Sequence, residues 1–150
     1  MKLVIQRVQE ASVTIENKIV GSISKGLLVL IGIETKDSEM DVDWCLSKLV
    51  NMRIFSDDEG KMNLSLLEVN GKLLVVSQFT LHASTKKGNR PSFITAARPE
   101  QAIPLYESFI QKANVLLSNS VQTGEFGADM KVGLINDGPV TIIIDSQNKE

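Results

Sequence analysis

The run Leu27-Leu28-Val29-Leu30-Ile31-Gly32-Ile33 constrains this chain more than any other segment. Neither of its alternating faces carries a polar side chain, so neither face suits water. A run this apolar and β-rich predicts a central strand buried on both faces. It is also the longest apolar run, and it is far too short to cross a bilayer.

Other elements are read around it. Met1 to Val8 predicts a strand. Ala11 to Ile15 alternates, with Val13 and Ile15 on one face, and Asn17-Lys18 is a turn into a strand over Ile19 to Ile23. Asp37-Ser38 precedes a helix, with Ser38 as its cap and Asp41 and Asp43 near its positive end. Trp44, Leu46, Leu49 and Val50 form the apolar stripe of that helix. Arg53 to Phe55 predicts another strand, and Leu64 to Leu67 a short irregular segment. Asn70-Gly71 is a turn signal before the strand Leu73 to Val76. Ala83 to Pro91 is a polar loop. Pro99 opens a second helix through Leu105, Phe109, Ala113, Leu116 and Leu117. Val121 to Phe126 and Met130 to Ile135 are expected strands, and Val140 to Ile144 is a further β-type run. The polar tail after Asp145 is expected to fray. Several strands and two helices give an α+β fold. It is read as a single domain over residues 1–150, a β-barrel-like antiparallel or mixed sheet with two main helices packed outside.

Composition narrows the function. The net charge of -2 argues against a general nucleic-acid coat, although a local basic patch could still grip one RNA end. The single cysteine, Cys45, leaves no internal disulfide and fits a reducing, cytoplasmic setting. Gln6, Arg7, Gln9 and Glu10 interrupt the apolar N-terminus, so it does not read as a signal peptide. No membrane association is expected.

Conventional catalytic groups are scarce. Ser77, Gln78 and Thr80 offer hydroxyls and an amide, none of them a good base at neutral pH. His82 is the only histidine. Continued strand alternation would set it on the face of Thr80, but without a third orienting group it reads as a surface or rim residue. One histidine and one cysteine form no recognisable metal-ligand set, so no metal and no cofactor are expected. An ester hydrolase built from these residues would use backbone donors near Phe79 or Thr80 to bind a developing oxyanion.

Two separated segments carry a resemblance. Ser77-Gln78-Phe79-Thr80-Leu81 follows an apolar strand, and Asn136-Asp137-Gly138-Pro139-Val140-Thr141 sets Gly-Pro between two apolar runs. With Met1-Lys2-Leu3-Val4-Ile5-Gln6-Arg7-Val8 and Glu125-Phe126-Gly127-Ala128-Asp129-Met130, they resemble the D-aminoacyl-tRNA deacylases nearly end to end. The resemblance implies hydrolysis of the ester between a D-amino acid, or mischarged glycine, and the tRNA 3′-end. It implies catalysis by main-chain donors and the ribose 2′-hydroxyl, with Ser77, Gln78, Phe79 and Thr80 lining one half of a pocket. Gly138 and Pro139, joined by a cis bond, would enter from the partner of a homodimer and exclude L side chains. Arg7 would brace that pair with its planar guanidinium. Phe126, Gly127 and Met130 would hold the terminal adenosine. Lys86, Lys87 and Arg90, in a basic, glycine-broken loop, would meet acceptor-stem phosphates. The implied partner is aminoacyl-tRNA. Rival readings are a non-catalytic module that binds RNA 3′-ends and an editing domain acting on an L-aminoacyl-tRNA.

Overall fold

A computed structural model describes residues 1–118 and 121–149. Strand β1 spans Lys2–Ile15, β2 Lys18–Ile23 and β3 Gly26–Gly32. Helix α1 covers Glu39–Asn51, followed by the short strands β4 (Phe55–Ser56) and β5 (Met62–Leu64). Strand β6 (Lys72–Ser77) runs into a 3₁₀ turn over Phe79–His82. Helix α2 (Pro99–Leu116), β7 (Gln122–Thr123) and the long β8 (Lys131–Asp145) complete the order.

The main sheet runs β2-β1-β3-β6-β7, with β8 on the other side of β1. Strand β1 is long enough to pair antiparallel with β3 through residues 2–8 and with β2 through residues 11–15. A turn at Glu16-Asn17, both at positive φ, joins β1 to β2. Strands β3, β6 and β7 are parallel neighbours, so the sheet is mixed. Its ends nearly meet: a Cβ added to Gly21 of β2 would lie 2.5 Å from the Thr123 carbonyl oxygen of β7. Only glycine permits that approach, and the sheet nearly closes into a barrel.

The β3 run is buried on both faces. Leu27, Val29 and Ile31 join the core beneath α1 and α2. Leu28 joins Val8, Val13, Ile23, Leu74 and Val76 in a second core. On α1, Val42, Cys45, Leu46, Leu49 and Val50 are buried, while Trp44 is half-buried. Asp41 accepts from the Ser38 backbone N–H at 2.8 Å and from the Ser38 hydroxyl at 3.0 Å, which fixes the helix start.

The turn read at Asn70-Gly71 is present, with Asn70 at φ +48°, and leads into β6. Three sequence expectations need correction. The strand read at Arg53 to Phe55 is the two-residue β4. Of Val121 to Phe126, only Gln122–Thr123 forms a strand, because the chain then turns at Gly127. The tail does not fray through its first residues. Ser146 is buried and its N–H donates to the Met1 carbonyl at 2.9 Å, while the Gln147 amide donates to Asp37 and Asp41. The terminal ammonium of Met1 is itself buried between Asp37 and Ser146. No described helix is long and apolar enough to cross a membrane.

Candidate functional site

Ser77 ends β6 opposite Ile31, and the Gln78 N–H donates to the Ile31 carbonyl at 2.8 Å. The chain then tightens into the 3₁₀ turn. Gly32 makes room for it: a Cβ there would lie 2.9 Å from the Leu81 Cβ and 3.1 Å from the His82 Cδ2. The Phe79 and Thr80 N–H groups open the turn and, among the described residues, bond to no carbonyl outside it. The first N–H groups of a helical turn have no partner within it either. Phe79 and Thr80 are exposed, and Ser77 and Gln78 half-buried. The Gln78 amide donates to the Thr80 hydroxyl. No carboxylate or imidazole touches that hydroxyl among the described residues.

The expected place of His82 is overturned. It is not a rim residue, and it does not share a face with Thr80. The strand stops at Ser77, and in a 3₁₀ turn residues two apart point in different directions. The turn folds His82 under the end of β3, where the residue is 5% exposed. Its Nδ1 lies 3.9 Å from a Glu34 carboxylate oxygen, and its buried Nε2 has no hydrogen-bond partner among the described residues.

A cleft of about 280 Å³ opens beside the turn. Ser77, Gln78 and Phe79 form one part of its wall, and Phe126, Gly127, Ala128, Asp129 and Met130 another. Ile31, Val76, Ala97 and Ala102 contribute to its apolar lining. Thus two motifs distant in sequence meet. The Phe126 ring stands edge-on to Tyr106 at 5.8 Å, and the Tyr106 hydroxyl donates to the Val75 carbonyl at 3.2 Å. Burial pushes the Tyr106 phenol up to about 12, so it remains a neutral donor. Gly127 turns the chain at φ +80°. Met130 packs over Gly124, where a Cβ would overlap its sulfur. Phe126 and Met130 pack against the core and face the cleft at once.

Gly138-Pro139 sits elsewhere in the chain and lines no part of this cleft. Between the pairs Gln6↔Thr141 and Val8↔Asn136, β1 contributes only Arg7 while β8 contributes residues 137–140. The surplus bulges outward and leaves Gly138 and Pro139 exposed. The bond between them is cis. Asn136 brackets the bulge, its Oδ1 accepting from the Val140 N–H at 2.9 Å and its amide donating to Thr141 at 3.0 Å. Arg7 fills the space beneath. Its Nε donates to the Asp137 carbonyl at 3.0 Å, and its Nη1 donates to the Ile54 carbonyl at 2.6 Å. Gly138 adopts φ +132°, and a Cβ there would lie 2.9 Å from the Arg7 Nη2.

Lys86, Lys87 and Arg90 are exposed on a loop outside the cleft and form no ion pair among the described residues. Sequence reasoning missed the wall residues Ala97 and Ala102, which carry no local signal of their position. It also missed the bracketing by Asn136, whose signal was its place just before Asp-Gly-Pro. No group of three His, Cys, Asp or Glu side chains gathers as a metal site among the described residues.

The family model described as D-Tyr-tRNA(Tyr) deacylase matches residues 4–145. A protein of Cytophaga hutchinsonii named D-aminoacyl-tRNA deacylase is 65% identical over 150 residues, covering 100% of each chain. One of the same name from Flavobacterium psychrophilum is 63% identical, again over 100% of each chain. Among solved structures, the c-Myc DNA Unwinding Element Binding Protein superposes with TM-score 0.92 at 39% identity, covering 97% of this chain and 98% of that one. A probable eukaryotic D-amino acid tRNA deacylase superposes with TM-score 0.79 at 19% identity over 95% and 97%, a likeness of fold alone. Matched from residue 4 to residue 145 and in full-length register with such relatives, the chain belongs to the D-aminoacyl-tRNA deacylase family of enzymes.

Proposed function

We propose that this protein hydrolyses the ester linking a D-amino acid, or mischarged glycine, to the 3′-end of tRNA. The observation that carries the reading is the cleft joining Ser77-Gln78-Phe79 to Phe126-Gly127-Met130. It sets the Phe79 backbone beside an aromatic and a thioether side chain. The Phe79 and Thr80 N–H groups bind the oxyanion that forms as water attacks the ester carbonyl. The 2′-hydroxyl of the terminal ribose assists that water, since Thr80 has no base to activate it. Phe126 and Met130 hold the adenine by stacking and dispersion, and Gly127 leaves room for the base.

Selection against L-amino acids falls to the Gly138-Pro139 backbone. That backbone is exposed, outside its own chain's cleft and fixed by Arg7 and Asn136. A second copy supplies it, so the working form is a homodimer with a shared pocket. Exposed Leu134, Ile135 and Ile143 on β8 and Ile19 and Val20 on β2 give such a pair apolar surface to bury. Main-chain carbonyls near the substrate α-carbon collide with an L side chain, while a D side chain points away and glycine has none. Lys86, Lys87 and Arg90 meet phosphates of the acceptor stem. The setting is cytoplasmic, where charged tRNA is found.

Deacylation of matched D-Tyr-tRNA, L-Tyr-tRNA and Gly-tRNA by the purified protein, with chelator present, tests this reading. Fast loss of the D and glycyl esters with the L ester spared is expected. Equal loss of the L ester overturns the Gly138-Pro139 argument. The missing base beside Thr80 favours one second reading, a module that only binds RNA ends. Tight binding of charged tRNA without turnover selects it.

A further inference from the structure

Phe79 is 55% exposed, and its ring stands edge-on to Phe93 at 5.1 Å and 73°. Ile94, the next residue, is 88% exposed. Phe79 lines the cleft, and exposed apolar side chains at a cleft edge are a feature of binding surfaces. The backbone beneath them is fixed. The Phe93 carbonyl accepts from the Ala96 N–H at 3.0 Å, the Thr95 carbonyl from Thr35 at 3.1 Å, and the Ile33 carbonyl from Ala97 at 2.9 Å. Ser84 and Ser92 exchange backbone hydrogen bonds of 2.8 and 2.9 Å, closing the loop that bears Lys86, Lys87 and Arg90.

Charge on this segment is one-sided. Residues 69–99 include Lys72, Lys86, Lys87, Arg90 and Arg98 but no Asp or Glu, in a chain whose net charge is -2. The other motif in the cleft wall carries Asp129, ion-paired to Lys131 at 2.9 Å. A polyanion leaving the cleft is therefore drawn past Phe79 toward Phe93 and the Lys86–Arg90 loop. Aromatic faces beside unpaired cations suit single-stranded nucleic acid, whose bases stack while its phosphates meet the charges. A second copy docked there by the same surface would set these cations against their own counterparts.

We propose that Phe79, Phe93 and Ile94 form a stacking platform for the nucleotide preceding the terminal adenosine, with Lys86, Lys87 and Arg90 at the adjoining phosphates. The assignment rests on the tRNA-deacylase reading and extends it by one nucleotide. Phe93 is the new binding residue, and the pairing with Phe79 couples it to the cleft.

The test uses full-length protein and a D-tyrosyl RNA minihelix with an unpaired 3′-tail, intact or abasic at the penultimate position. Phe93→Ala is expected to raise KM on the intact minihelix about tenfold. It should add little on the abasic one, because both changes remove the same stacking interaction. Phe93→Trp is expected to restore the intact-substrate KM. Replacing Lys86, Lys87 and Arg90 by alanine should flatten the dependence of log KM on log salt by about 0.7 for each phosphate that is no longer neutralised. Equal damage on both minihelices overturns the proposal and leaves Phe93 as a support for Phe79. So does no damage on either, or a Phe93→Ala shift in oligomeric state by light scattering. If wild-type protein hydrolyses neither ester, the deacylase reading fails by itself. Fluorescence anisotropy with the two uncharged minihelices then decides the platform by the same comparison.

Discussion

Thr80 presents a hydroxyl that accepts from its own neighbour Gln78 and, among the described residues, meets no proton acceptor. Positioned acid–base groups typically contribute about 10²–10⁴-fold. Thr80→Ala is therefore expected to retain D-Tyr-tRNA hydrolysis within about tenfold, below that range. A loss of about 10³-fold or more in a folded variant, by single-turnover kinetics, would restore Thr80 as nucleophile. Gly138 is the opposite case, where no side chain fits. At φ +132° an L residue is strained, and its Cβ would press on the Arg7 Nη2 at 2.9 Å. Gly138→Ala is expected to displace the bulge and to lower D-Tyr-tRNA turnover at least about tenfold, given about 1–3 kcal/mol of backbone strain. Circular dichroism should show the fold intact. Cys45 is fully buried, and burial pushes its thiol up to about 12. Iodoacetamide at pH 8 should leave it unmodified in native protein and alkylate it in urea.

The elements differ in how far local sequence governs them. Strand β3 was legible because each of its side chains is apolar, so either alternation yields a buried face. Helix α1 was legible from Ser38, Asp41 and a 3.6-residue stripe. The segment after Ser77 was not, because Phe-Thr-Leu-His has the β-branched and aromatic look of a strand. It turns because Gly32 admits Leu81 and His82 against the end of β3, an approach between segments distant in sequence. Likewise β7 shrinks to two residues because the chain leaves the sheet to wall the cleft at Phe126. On α2, Phe109 is fully buried in the core shared with β3 and β6. Phe109→Ala is expected to cost about 3–5 kcal/mol, read as a lowered urea midpoint. An unchanged midpoint would mean that α2 is not held by that core.

At the scale of the molecule, the near-closed sheet carries the Ser77–Phe79 and Phe126–Met130 walls to one cleft and leaves the Arg7-braced bulge facing outward. If a second copy completes the pocket, activity per mole of chain should fall on dilution in step with loss of dimer by light scattering. An active monomer would contradict the shared pocket. The α+β class, the two-faced central strand and both helices could be read from the chain alone, because periodicity and side-chain chemistry are local properties, whereas the motif residues were singled out by family resemblance. Packing in three dimensions was needed to bury His82, to dock the tail on Met1 and Asp37, and to bring Phe126 and Phe79 to one cleft. It also makes four residues of β8 bulge over Arg7. Those outcomes depend on register and on close approaches at glycines such as Gly21 and Gly32. Both are relations between distant segments that no local pattern encodes.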